Sequence, residues 1–305
     1  MSKVPRVSVL MPAYNREAFI REAVESVLRQ TYTDFEVVAV DDGSSDGTVA
    51  VLEELARRDG RVRVIKAGRL GLVGASNETV RHARGELLAR LDADDVAMPS
   101  RLEKQVAYMD SHPECVVVGG QMEIMDSVGH FKRMKTVPTE HEQIDGFHMA
   151  GQGSAIMNST AMMRGAAVRE VGGYRHRFEI CDDLDLWMRL AEKGRLANLP
   201  EVFVRYREHD ANISRQREGW VRRRTHGAVR AAERRRKTGR INATEYAVRL
   251  AVRLGEMGKA RGIAWWGVCR RPVNRTAWRM AAFAMFGPTV RAMRKCCGPK
   301  PKGVR

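Results

Sequence analysis

Phe35-Glu36-Val37-Val38-Ala39-Val40-Asp41-Asp42-Gly43-Ser44-Ser45-Asp46-Gly47-Thr48 and, further along, Leu87-Leu88-Ala89-Arg90-Leu91-Asp92-Ala93-Asp94-Asp95 share one pattern, a short and mainly apolar run that ends in carboxylates. Runs of this length bounded by turn residues read as buried parallel strands. In an open α/β sheet the carboxyl ends of neighbouring strands line the crevice where ligands bind. Two acidic clusters on one rim suit a nucleotide diphosphate with its cation. One cluster can accept hydrogen bonds from base or ribose, and the other can hold Mg²⁺ or Mn²⁺, which prefer carboxylate and phosphate oxygens.

Outward from these runs, strand-like and helix-like segments alternate. Strands are expected at Val7–Met11, Phe35–Val40, Val62–Ile65, Leu87–Leu91, Cys115–Gly119 and Val202–Arg207. Helices are expected at Arg16–Arg29, where Ile20, Ala23, Val24, Val27 and Leu28 form one stripe, at Thr48–Arg58 capped by Ser45 or Asp46, and at Val73–Ala83. Further helices follow Pro99, a favoured first-turn residue, and occupy Asp183–Lys193. The alternation implies an α/β fold, a mostly parallel sheet covered by helices. Between Gly120 and about Met163 the pattern loosens into what reads as loops.

Four motifs stand in order: Val7-Ser8-Val9-Leu10-Met11-Pro12-Ala13-Tyr14-Asn15, Gln30-Thr31, Asp41-Asp42-Gly43-Ser44 and Asp92-Ala93-Asp94-Asp95. With them the chain resembles a family 2 glycosyltransferase of the GT-A, Rossmann-like fold from about residue 6 to about 214. The resemblance implies an inverting transfer of sugar from a nucleotide-sugar, UDP-linked in many relatives, to a hydroxyl acceptor. It gives Asp94 the Mn²⁺ or Mg²⁺ contact and Asp92 a place at the ribose or in the metal shell, beside Ala93. Spacing independently lets Asp92 and Asp94 face one side of an extended segment, open to solvent. Asp42 matches the base-reading position, while Asp41 is open between nucleotide contact and turn structure. Pro12, Ala13, Tyr14, Asn15 and Glu17 fall in the loop that walls the nucleotide. Asn77, in Gly71–Asn77, matches the glycine-rich entry to the third helix, although Ser76 stands where many relatives carry Arg. Asp182-Asp183 matches a Glu-Asp element whose Asp is the general base, so Asp183 takes that role. His209 ends a Tyr-Arg-x-His motif and is a third metal-ligand candidate. Each has a plainer reading: turn chemistry for Asp41-Asp42 and Asp92–Asp95, helix capping for Asp182-Asp183, a structural hydrogen bond for His209.

Charge divides the 305-residue chain. Its net of +16 combines 25 Lys and Arg against 4 Asp and Glu from Arg215 onward with a net of −5 before it. The expected domains are therefore residues 1–214, with a nucleotide half to about 120 and an acceptor half over 121–214, and a basic helical extension over 215–305. Trp265-Trp266 and Trp278 among arginines suit the headgroups of an anionic leaflet, where a lipid-linked saccharide acceptor resides. The five cysteines form no C-x-x-C pair, and the N-terminus shows no leader pattern, so a cytoplasmic enzyme peripheral to the membrane is expected. Two rivals stay open. A nucleotidyltransferase would carry a glycine-rich loop where Pro12-Ala13-Tyr14-Asn15 stands. A nucleic-acid binder would act through Arg222–Arg224 and Arg234–Lys237, although no nucleic-acid fold accompanies them and no such partner is expected.

Overall fold

A computed structural model describes residues 4–149, 153–212 and 237. The first four strands are β1 (Val7–Ala13), β2 (Phe35–Asp41), β3 (Val62–Lys66) and β4 (Leu87–Arg90), connected by helices α1 (Glu17–Leu28), α2 (Thr48–Arg58) and α3 (Gly71–His82). They pair in parallel in the order β3-β2-β1-β4. Alternation along β1 sends Val7, Val9 and Met11 to one face, where they meet Ile20, Val24 and Leu52 of α1 and α2. Leu10 points to the other face, against Val73 and Val80 of α3. Because the strands are parallel, their carboxyl ends share one rim. Ala13 stands opposite Asp41 in the β1–β2 register, and Leu10 stands opposite Arg90 in the β1–β4 register.

Beyond Arg90 the sheet becomes mixed. After β5 (Val96–Ala97) and α4 (Arg101–Ser111) come β6 (Cys115–Met125), β7 (Phe131–Lys135), α5 (His141–Met149), β8 (Met162–Arg164), α6 (Gly165–Glu170), α7 (Asp182–Leu190) and β9 (Arg195–Arg207). The full order is β3-β2-β1-β4-β8-β6-β9-β5, with β7 paired to β6. β4–β8, β6–β8, β6–β7 and β5–β9 are antiparallel, whereas β6 and β9 run parallel. The looped stretch expected from Gly120 to Met163 is instead the second half of β6, a hairpin, a helix and a strand. Its helical segment is too short to show a clear apolar period, and β7 has both faces exposed. Gln30 fixes how the second part of the sheet begins: its amide donates to the Met98 carbonyl at 2.7 Å and accepts from the Leu102 N–H at 2.9 Å, holding the start of α4.

Cys115 and Cys181 are buried, and burial pushes the Cys115 thiol up to about 11, so it stays protonated at neutral pH. No helix among the described residues is long and apolar enough to cross a membrane. The basic extension expected over 215–305, with its aromatic and arginine clusters, lies outside the described residues apart from Lys237.

Candidate active site

The first acidic cluster is built by backbone. Asp42 accepts from the N–H groups of Leu70 at 2.6 Å and Gly71 at 3.0 Å, and so ties the end of β2 to the start of α3. Asp41 accepts from the N–H groups of Gly43 and Ser44, both at 3.1 Å. Gly43 takes φ +75°, which turns the chain away from the strand where a side chain would press on Arg69. Across the rim, Asn15 adopts φ +50° and accepts from Ser45 N–H at 2.9 Å, while Glu17 accepts from Gly47 N–H at 2.9 Å. The loop holding Pro12, Ala13, Tyr14 and Asn15 is thereby sewn to the 43–47 turn. Arg69 lies over the Tyr14 ring, 4.4 Å from its centroid.

The second cluster is built by side chains. Ala93 and Asp94 form a turn, closed by the Asp95 N–H to the Asp92 carbonyl at 3.1 Å. The extended geometry expected for Asp92-Ala93-Asp94 is therefore absent, and the two carboxylates take different partners. Asp92 accepts from Arg90 through Nε at 3.0 Å and Nη2 at 2.8 Å. Asp94 is 7% exposed, buried where a solvent-facing residue was expected. Its Oδ2 contacts Arg16 Nε at 2.9 Å and His209 Nε2 at 3.0 Å. Burial works against its ionisation, but the hydrogen bond to His209 and the charge of Arg16 prevail and hold Asp94 below the ordinary carboxylate range. Asp95 is fully buried and goes the other way: burial first, then the charges of Asp94 and Asp92, raise it well above that range. Asp95 Oδ1 accepts from Arg207 N–H at 3.0 Å, and Arg207 Nε donates to the Asp94 carbonyl at 3.0 Å. His209 is stacked on Phe19 with ring centroids 4.8 Å apart.

The third element is the N-terminus of α7. The helix is buried throughout, with Trp187 and Leu184 in the core, and Asp183 is 3% exposed in its first turn. Partial positive charge at a helix N-terminus favours an ionised carboxylate there. Arg90 connects this element to the second cluster. Its guanidinium is fully buried, donates from Nη1 to Ser76 Oγ at 3.1 Å, and interacts electrostatically with both Asp92 and Asp182. Tyr174, also buried, feels Arg90, Asp182, Asp92 and Asp183, and burial pushes its phenol up so that it stays neutral. Arg90, Arg16, Arg207 and Tyr174 were not among the residues singled out from sequence, although an arginine inside the run Leu87–Leu91 was a visible signal. Asn77 is paired with the Tyr174 backbone: its amide donates to the Tyr174 carbonyl and accepts from the Tyr174 N–H, at 2.9 and 2.8 Å.

Among the described residues no three His, Cys, Asp or Glu side chains converge on one point, so Asp92, Asp94 and His209 do not form a ready three-ligand cage. Asp94 and His209 do converge, as one oxygen and one imidazole. Mg²⁺ and Mn²⁺ commonly take one or two protein carboxylates and complete the shell with phosphate oxygens and water. The donor set fits such an ion.

Comparison with known proteins agrees with this architecture. Residues 8–172 match the family described as Glycosyl transferase family 2. The chain is 36% identical over 221 residues to the glycosyltransferase EpsE of Bacillus subtilis, covering 71% of this chain and 78% of EpsE. It is 33% identical over 217 residues to the amylovoran biosynthesis glycosyltransferase AmsE of Erwinia amylovora, covering 70% and 80%. Among solved structures, TarS 1–349 of S. aureus in complex with UDP-GlcNAc superposes with TM-score 0.60 at 18% identity, over 97% of this chain and 93% of that one. The mannosyltransferase PcManGT of Pyrobaculum calidifontis, in complex with GDP-Man and Mn²⁺, gives TM-score 0.54 at 19% identity, over 98% and 78%. These neighbours establish the fold as GT-A-like. The chain belongs to glycosyltransferase family 2, and it is a glycosyltransferase.

Proposed function

We propose that the enzyme transfers a hexosyl or N-acetylhexosaminyl group from a UDP-sugar to a hydroxyl of a growing polysaccharide or lipid-linked saccharide, inverting the anomeric centre. The observation that carries this reading is the pair Arg90 and Tyr174, whose electrostatic partners include both Asp92 and the Asp182-Asp183 end of α7. Asp92, read here as donor-side, and Asp182-Asp183, read as acceptor-side, thus act on the same two buried groups. Polysaccharide chemistry is supported by AmsE, and a UDP-sugar donor by TarS.

On this reading the nucleotide lies along the loop Pro12–Asn15 and the Asp41-Asp42 turn, and Asp94 and His209 would hold the cation. When bound, that cation neutralises charge growing on the departing nucleoside diphosphate. Asp183 takes the proton from the acceptor hydroxyl as its oxygen bonds to the anomeric carbon. The bond from that carbon to the diphosphate oxygen breaks on the opposite face, and no covalent enzyme intermediate forms. Asp183→Asn should keep binding of UDP and Mn²⁺ while transfer falls by roughly two to four orders of magnitude. Loss of donor affinity in calorimetry, in step with turnover, would move Asp183 to the donor site and sink its role as base.

A further inference from the structure

Arg16 occupies a position that the transfer reaction itself does not explain. It directly follows the nucleotide loop and caps α1, and its backbone N–H donates to Thr48 Oγ1 at 2.8 Å. Its guanidinium is hooked to its own loop through Nη1, which donates to the carbonyls of Tyr14 at 3.2 Å and Asn15 at 2.9 Å. From that anchorage Nε reaches across the rim to Asp94 Oδ2 at 2.9 Å, the oxygen that His209 also contacts. Nη2 has no hydrogen-bond partner among the described residues. The Arg16 side chain is 18% exposed and that of Asp94 9%, so solvent screens this pair only in part.

We infer that Arg16 is a resident counter-ion that a divalent cation must displace from Asp94, and that its release turns its charge toward the diphosphate. The inference rests on the proposal that Asp94 binds the cation. Asp94 Oδ2 and His209 Nε2 face each other, so a cation held by both takes Oδ2, where it competes with Arg16 Nε, and two cations side by side repel. Once Oδ2 is taken, Nε loses its acceptor while Nη1 still holds the group at the mouth of the nucleotide loop. A donor-free site is then neutralised from within, and the loop Tyr14–Arg16 becomes responsive to metal. Arg16 is accordingly a positioning residue, acting on the loop and on the order of ligand binding.

The test is Mn²⁺ titration of the full-length protein by electron paramagnetic resonance, without nucleotide, followed by UDP titration at saturating Mn²⁺. Arg16→Gln should bind Mn²⁺ about tenfold more tightly than the wild type, the factor set by one lost charge-assisted hydrogen bond, and should bind UDP more weakly. Arg16→Lys, which keeps a charge, should stay near the wild-type Mn²⁺ affinity. Equal or weaker Mn²⁺ binding by Arg16→Gln, with a wild type that binds through Asp94, overturns the inference alone. If Asp94→Asn leaves Mn²⁺ binding unchanged, the underlying metal reading fails instead.

Discussion

The two acidic clusters look alike in sequence and are held in opposite ways. Asp42 accepts from the main-chain N–H groups of Leu70 and Gly71, and Asp41 through Oδ2 from those of Gly43 and Ser44, while Asp41 Oδ1 is buried without a hydrogen-bond partner among the described residues. Asp92 and Asp94 are satisfied by the charged side chains of Arg90 and Arg16, and Asp94 also by His209. Main-chain donors cannot move without remaking the loop, so the first cluster sets shape. A side-chain cation can swing away, so the second cluster can exchange one positive partner for another. The difference separates a carboxylate that builds a loop from one whose partners can be exchanged.

The contrast predicts different costs for removing each carboxylate. Asp42→Ala deprives the Leu70 and Gly71 N–H groups of their acceptor at once and should cost about 2 kcal/mol in urea unfolding. An unchanged midpoint would mean that the Asp42 contacts are incidental to the loop. A smaller effect is expected at Asp95, whose folded pKa is raised. Its folded form retains a proton that the unfolded chain has lost, so its contribution favours folding at low pH and is lost as pH rises above the ordinary carboxylate range. Asp95→Asn keeps an oxygen for the Arg207 N–H and removes this penalty. Its thermal midpoint should gain on the wild type as pH rises above the ordinary carboxylate range, about pH 4, and a gain that shrinks with rising pH would contradict the burial argument. Asp94, whose pKa is depressed, carries the reverse sign: its contribution is present above the ordinary range and lost as pH falls through the folded value.

Much of the first cluster was legible because its signals are local. Alternating or continuous apolar runs gave β1 through β4, and D-G-S-S-D-G marked a turn; the N-cap of α2 is Gly47 and neither Ser45 nor Asp46, although Asp46 accepts from the Thr48 N–H at 3.0 Å just ahead of the helix. The second cluster was legible as a list of carboxylates and not as a geometry. Asp92 pairs with the nearby Arg90, but the partners of Asp94 come from far along the chain: Arg16 sits 78 residues before it and His209 sits 115 after it. No periodicity reports pairings of that range. The same holds for Glu36, buried inside an otherwise apolar strand and neutralised by Arg63 at 2.8 Å and Arg84 at 2.7 Å. The stretch from Gly120 to Met163 was least legible, because the short β8 and the exposed β7 carry weak local patterns, and antiparallel pairing there follows from contacts across the sheet.

The central claim is that Asp94 is the exchangeable carboxylate of the pair of clusters. Calorimetric titration of Mn²⁺ in the presence of UDP tests it most directly, on the wild type, Asp94→Asn and Asp42→Asn. One Mn²⁺ should bind the wild type, Asp94→Asn should weaken it by at least about tenfold, and Asp42→Asn should leave metal affinity within about threefold. Wild-type Mn²⁺ affinity in Asp94→Asn, or a larger loss in Asp42→Asn than in Asp94→Asn, would contradict the account.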